Sequence, residues 1–134
     1  MANLDILMSE DIEDIVRLAL NPYFTIYVRP LPSKFKVPSL EVTSVGGEDL
    51  NKIDTFDIVL DARAKEDAEA NELLRKAIGA LKEIARLQTT AIRAVDVNTS
   101  GSWGSDPVRP DLSMYSARLR VTVHQKITTI TEVN

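Results

Sequence analysis

The chain contains no cysteine. That removes thiol nucleophiles, thiolate metal sites and disulfides together, and it fits an intracellular setting better than a small secreted scaffold. Long apolar runs are missing as well. No stretch approaches the roughly 18 residues of a membrane-spanning helix. The opening "MANLDILMSEDIEDIV" carries acids where a secretory signal would carry lysine or arginine. A soluble, unprocessed protein without membrane contact is expected. A concentrated basic face is also lacking, since the net charge is -4 and the signs are mixed. Nucleic acid is therefore not expected as a partner. Among the five glycines, Gly46-Gly47 and Gly101/Gly104 match neither GxGxxG nor a P-loop, and they read as turn glycines.

What is present is the material of one domain. The 134 residues lie near the commonest domain size, so a single domain spanning 1–134 is the expectation. In "MSEDIEDIVRLALNP", Met8, Ile12, Ile15, Val16 and Ala19 fall at helical spacing, with Ser9 as N-cap and Asn21-Pro22 as the stop. "YFTIYVR" reads as a strand with Phe24, Ile26 and Val28 on one side. "PLPSKFKVPS" has its prolines too close together for a helix or central strand, so 30–39 is expected as a surface loop, made locally basic by Lys34 and Lys36.

From Leu40 two strand-like runs are joined by a turn region beginning at Gly46-Gly47. The second run alternates Phe56, Ile58, Leu60 and Ala62 against Asp57, Asp61 and Arg63. A long helix follows, with a stripe of Ala70, Leu74, Ala77, Ile78, Leu81, Ile84 and Ala85. "TAIRAVDVN" gives a shorter strand, and 98–112 a stiff loop. The last strand puts Tyr115, Ala117, Leu119, Val121, Val123 and Ile127 in one phase, and Arg118, Arg120, His124 and Lys126 in the other. The order α-β-β-β-α-β-β implies an α+β fold: a mixed or antiparallel sheet of about five strands with two helices packed on one face.

Catalytic patterns are weak. His124 is the one histidine, the residue type most used for proton transfer near neutral pH, but it lies on the polar phase of its strand and lacks a partner motif, so a solvated histidine is the plainer reading. Asp57 and Asp61 stand about 13 Å apart along one strand, too far for a glycosidase pair. The acids Glu10, Asp11, Glu13 and Asp14 lack the spacing of a calcium loop and suit a helix start. Neither catalysis nor a cofactor is expected. The charged sheet face has two readings: an exposed surface with cross-strand pairs worth ~0.2–1 kcal/mol each, or a subunit interface in which opposite charges meet head to tail around a ring.

The segment W-x-x-D-P-x-x-P, formed by Trp103, Asp106, Pro107 and Pro110, precedes Tyr115 and the alternating "YSARLRVTV". With the N-terminal helix, the proline loop, the hairpin and the helix opening "KEDAEANELLRKA", it resembles tail terminator proteins of long-tailed bacteriophages. The resemblance implies a virion protein at the neck end of the tail: a hexameric ring that caps the tail tube, stops its polymerisation and meets the head-tail connector or stopper protein. Another neck, tail-completion or minor capsid protein is the neighbouring alternative, and a non-enzymatic ligand-binding or regulatory domain the more distant one. The two loops are the candidate contact segments, with Lys34, Lys36, Trp103, Asp106, Arg109, Tyr115, Arg118 and Arg120 as candidate interface residues. Trp103 has two roles open to it, partner anchor or lid over its own core. Arg109 can pair with Asp106 or with an acid on a neighbour.

Overall fold

The computed structural model describes residues 2–50, 53–107 and 109–133. Within them the chain runs β1 (Asn3–Met8), α1 (Ile12–Leu20), β2 (Ile26–Val28), β3 (Ser39–Leu50), β4 (Ile53–Ala64), α2 (Asp67–Leu87), β5 (Ile92–Ser105), β6 (Ser113–His124) and β7 (Lys126–Thr131). Five strands form a sheet in the order β2-β3-β4-β6-β5, and β1 and β7 form a separate ribbon. β2 runs parallel to β3, whereas the other neighbours in the sheet are antiparallel. The expected α+β class with a mixed sheet is what the chain adopts.

The periodicities explain the layering. Alternation puts Ile58 and Leu60 of β4, and Leu119, Val121 and Val123 of β6, on one face, where each is fully buried. The helices bring their stripes to that face: Val16 and Leu20 from α1, Leu74, Ala77 and Leu81 from α2. Each fully buried aliphatic side chain contributes on the order of 1.5–3 kcal/mol. This core fixes the sheet as the platform on whose far side the charged residues stand.

Several boundaries differ from the sequence expectation. Asp11 caps α1 instead of Ser9, its carboxylate accepting from the Glu13 N–H at 3.4 Å. Gly46-Gly47 is not a turn: β3 and β4 stay paired through Leu50 and Ile53, with a register shift between Ser44 and Gly46. Gly46 sits at φ 152 at this bulge, which glycine tolerates. Residues 51 and 52 between the strands lie outside the described residues. Strand β1 was not expected, because Leu4 and Leu7 are exposed and bury no face that would impose a period.

The last strand divides at Gln125, whose buried side chain donates from Nε2 to Asp54 Oδ1 at 2.6 Å. Beyond this bond the chain leaves β4 and pairs with β1, so Ile127 is 70% exposed instead of joining the buried phase. Lys126 likewise leaves the sheet face and pairs with Glu10. The span 98–112 is strand as far as Ser105, with Trp103 directly opposite Tyr115. Only its second half is a loop, one of whose residues, 108, falls outside the described residues. The low strand propensity of Gly101, Ser102 and Gly104 is overridden by pairing with β6.

Candidate functional site

On the helix-free face, the register sets Glu41 of β3 opposite Asp61 of β4. Two carboxylates facing each other across a strand pair repel. The cation that resolves this is Arg63, diagonal to Glu41 and 6% exposed. Its Nη1 donates to Glu41 Oε1 at 2.8 Å and its Nε to Asp106 Oδ2 at 2.6 Å. Asp106 is completely buried. The Phe35 ring lies 5.6 Å from the Arg63 guanidinium carbon, within cation–π range. One buried arginine therefore ties together β3, β4, the 30–39 loop and the loop after β5.

The proline loop has a second tether. The Lys36 backbone N–H donates to the Tyr27 hydroxyl at 3.1 Å. The peptide bonds Arg29-Pro30 and Val37-Pro38 are cis, and the Lys34 and Lys36 side chains are exposed. The second loop holds its own ion pair, because Arg109 Nε and Nη2 donate to both carboxylate oxygens of Asp111 at 2.9 and 2.8 Å. Arg109 thus pairs with Asp111, while Asp106 accepts from Arg63.

Trp103 is 58% exposed, so it is not a lid over the core. Its indole Nε1 donates to Asp67 Oδ1 at 3.1 Å, and the Ser113 hydroxyl donates to the same carboxylate at the start of α2. The ring is thus held in one orientation while its surface stays in water. Tyr115, across the ladder, is half-buried against the core. The structure brings Trp103, Tyr115 and the Arg109 loop together at the end of the sheet where Arg63 lies.

Arg118 and Arg120 stand apart from that cluster along β6. Arg120 Nε donates to Asp57 Oδ1 at 3.1 Å, the cross-strand pair expected from the alternation. Arg118 is exposed opposite Val59. His124 is exposed at the far end of β6. Among the described residues, no group of three His, Asp or Glu side chains is placed to hold a metal ion, and no helix is long and apolar enough to cross a membrane.

Asp106 lies inside the fold, so it is the motif residue that cannot itself meet a neighbour. Its role is to fix the loop beside Trp103. Sequence reasoning placed Arg63 on the solvated phase and missed Glu41 and Phe35. The available signal was the register, which sets Glu41 against Asp61 and leaves an acid pair needing a cation.

Burial raises the Asp61 carboxyl above the usual 3.8, opposed by the Ser116 hydroxyl and by Arg63 and reinforced by Glu41 and Asp106. The Ser116 hydroxyl donates to Asp61 Oδ1 at 2.5 Å. A raised carboxyl binds its proton more readily in the folded chain, so its contribution is fully present below the usual value and is lost as pH rises through the raised one. Asp61→Asn keeps an acceptor for Ser116 and removes that loss. The variant is expected to melt a few degrees higher than wild type at neutral pH, with the gain shrinking on acidification. Thermal melts over a pH series check this; a gain that does not depend on pH would contradict it.

No protein-family model matches this chain, and none of the curated proteins matches it significantly.

Proposed function

We propose that this protein is a non-catalytic assembly subunit: the terminator ring of a long-tailed bacteriophage tail, a hexamer that caps the tail tube and offers its other surface to the head-tail connector. The observation that carries the reading is the state of the W-x-x-D-P-x-x-P segment. Its aspartate is buried on Arg63 while its tryptophan is 58% exposed and oriented by Asp67. A stiffened strand end presenting an ordered, uncovered tryptophan suits protein docking, because little side-chain freedom remains to be lost on binding.

The two ends of the sheet differ in chemistry, which supports the same reading. One end carries Trp103, the Arg109–Asp111 pair and the basic proline loop. The other carries an exposed apolar ribbon. A stacked assembly needs different surfaces above, below and between subunits. A head-to-tail contact that closes into a ring limits itself, whereas a stacked tube continues to grow until its end is occluded.

Native mass spectrometry and negative-stain microscopy, with and without the tail tube protein of the same virus, test the proposal. The expected result is a six-membered ring and tubes whose growth stops when the protein is added. A subunit that remains monomeric with tube protein present, and leaves tube length unchanged, refutes it. Rings that bind a connector but ignore tubes would instead assign the chain to a neighbouring neck position.

A further inference from the structure

Arg63 holds two loops through one guanidinium, which donates to Asp106 in the loop after β5 at 2.6 Å and stands 5.6 Å from the Phe35 ring of the 30–39 loop. The same group donates to Glu41 of β3 at 2.8 Å. A third carboxylate stands beside this clasp. Asp61 is opposite Glu41 in the ladder, which sets their Cβ atoms roughly 5 Å apart, and it shares a face of β4 with Arg63. It accepts from the Ser116 hydroxyl at 2.5 Å. Three acids therefore crowd one guanidinium, and Glu41, Arg63 and Asp106 are 8, 6 and 0% exposed.

The other charges around Asp61 do not restore the balance. Arg118, diagonal to it on the same face of β6, is exposed, so water screens its charge. Asp57, further along that face of β4, adds an acid that is paired with Arg120. Arg109, beyond Asp106, forks onto Asp111. The Lys34 and Lys36 side chains of the 30–39 loop are exposed. From β5, Ser102 stands opposite Ser116 and is uncharged.

We propose that the proton on Asp61 controls how firmly the two loops are clasped: with the carboxyl protonated they are held closed on Arg63, and with it ionised they open more often. The coupling follows from which groups can move. Glu41, Asp61 and Arg63 are fixed in the paired strands, whereas Asp106 and Phe35 sit in loops, so the loops yield when a third negative charge forms. Opening carries the Asp106 charge away and lets water reach Asp61, which removes two effects that oppose its ionisation. In the closed chain, burial holds this carboxyl above its ordinary value, opposed by the Ser116 hydroxyl and Arg63 and reinforced by Glu41 and Asp106. The closed clasp therefore binds the proton better than the open one. Its advantage is complete below the ordinary carboxylate value and is lost as pH rises through the raised one. The clasp belongs to the isolated subunit, so it stands or falls apart from the terminator reading.

Two amides report on the loops: the Lys36 N–H, bonded to the Tyr27 hydroxyl, and the Leu112 N–H, bonded to the Arg109 carbonyl. Their hydrogen exchange, corrected for the pH dependence of free amides, is followed by NMR from about pH 4 to about pH 7 together with the Asp61 carboxyl and Arg63 Nε–H resonances. Protection of both amides is expected to fall about tenfold across the Asp61 titration. The fall should be insensitive to low urea, because a local opening exposes little surface. Asp61→Asn, which keeps an uncharged acceptor, should hold both loops protected throughout. Protection that stays level while Asp61 titrates overturns the proposal, and so does an equal fall in Asp61→Asn. If that variant does not fold, the wild type decides alone: an Arg63 Nε–H resonance that follows the Asp61 carboxyl supports the clasp, and one that ignores it overturns the clasp.

Discussion

Arg63→Met is expected to lower the unfolding free energy by about 3–5 kcal/mol, because it leaves Glu41 and Asp106 buried without their cation. Both carboxylates are enclosed, at 8% and 0% exposure, so water cannot take the place of the guanidinium. A domain of this size has roughly 5–15 kcal/mol in total, and the loss corresponds to a fall in melting temperature of roughly 10–20 °C. Arg63→Lys should recover only part of it, since an ammonium lacks the planar fork that reaches two acids and stacks on Phe35. Removing the whole charge group with Glu41→Leu/Arg63→Met/Asp106→Leu should recover most of it, because apolar replacements leave no unpaired charge. Urea unfolding of the series measures each step. A loss below about 1 kcal/mol for Arg63→Met would mean that the pairs behave as solvent-screened surface contacts and do not hold the loops.

The reach of the sequence can be judged from the same residues. Alternation identified Ile58, Leu60 and Ala62 as the buried phase of β4, and helical spacing identified Leu74, Ala77 and Leu81, because in both cases a single face meets the core. Arg63 follows the alternation too, on the far side from the helices. Its burial was illegible because it is produced by Glu41 of β3, 22 residues away, and by Asp106 in the loop after β5, 43 residues away. The distal half of β5 was hidden by glycine and serine, whose weak local preference is overridden by pairing with β6. The division of the last strand was hidden because it falls at Gln125, whose partner Asp54 is 71 residues away in sequence. The ribbon was hidden for the opposite reason: a strand with apolar residues on both faces and no core to bury them shows no period. What remained unread was therefore the part that contacts elements distant in sequence, or whose apolar side chains stay outside the core.

Trp103→Ala is expected to leave the isolated subunit nearly as stable as wild type and, on the proposed terminator reading, to weaken capping of the tube or attachment of the connector by about 2 kcal/mol, roughly 30-fold. The first half follows from exposure. With 58% of its surface in water, the indole stabilises the subunit mainly through its bond to Asp67, and exposed substitutions of this kind cost about 0.5 kcal/mol. The second half follows from the bond itself, which fixes the ring before a partner arrives and so lowers the ordering cost of binding. Trp103→Phe should retain most of the affinity, losing the Nε1 donor and some area while keeping an aromatic face. Calorimetry of the subunit alone, together with co-sedimentation of rings with tubes or connector, separates the two effects. A steep fall in melting temperature would make Trp103 part of the fold, and unchanged binding to both partners would remove it from the docking surface.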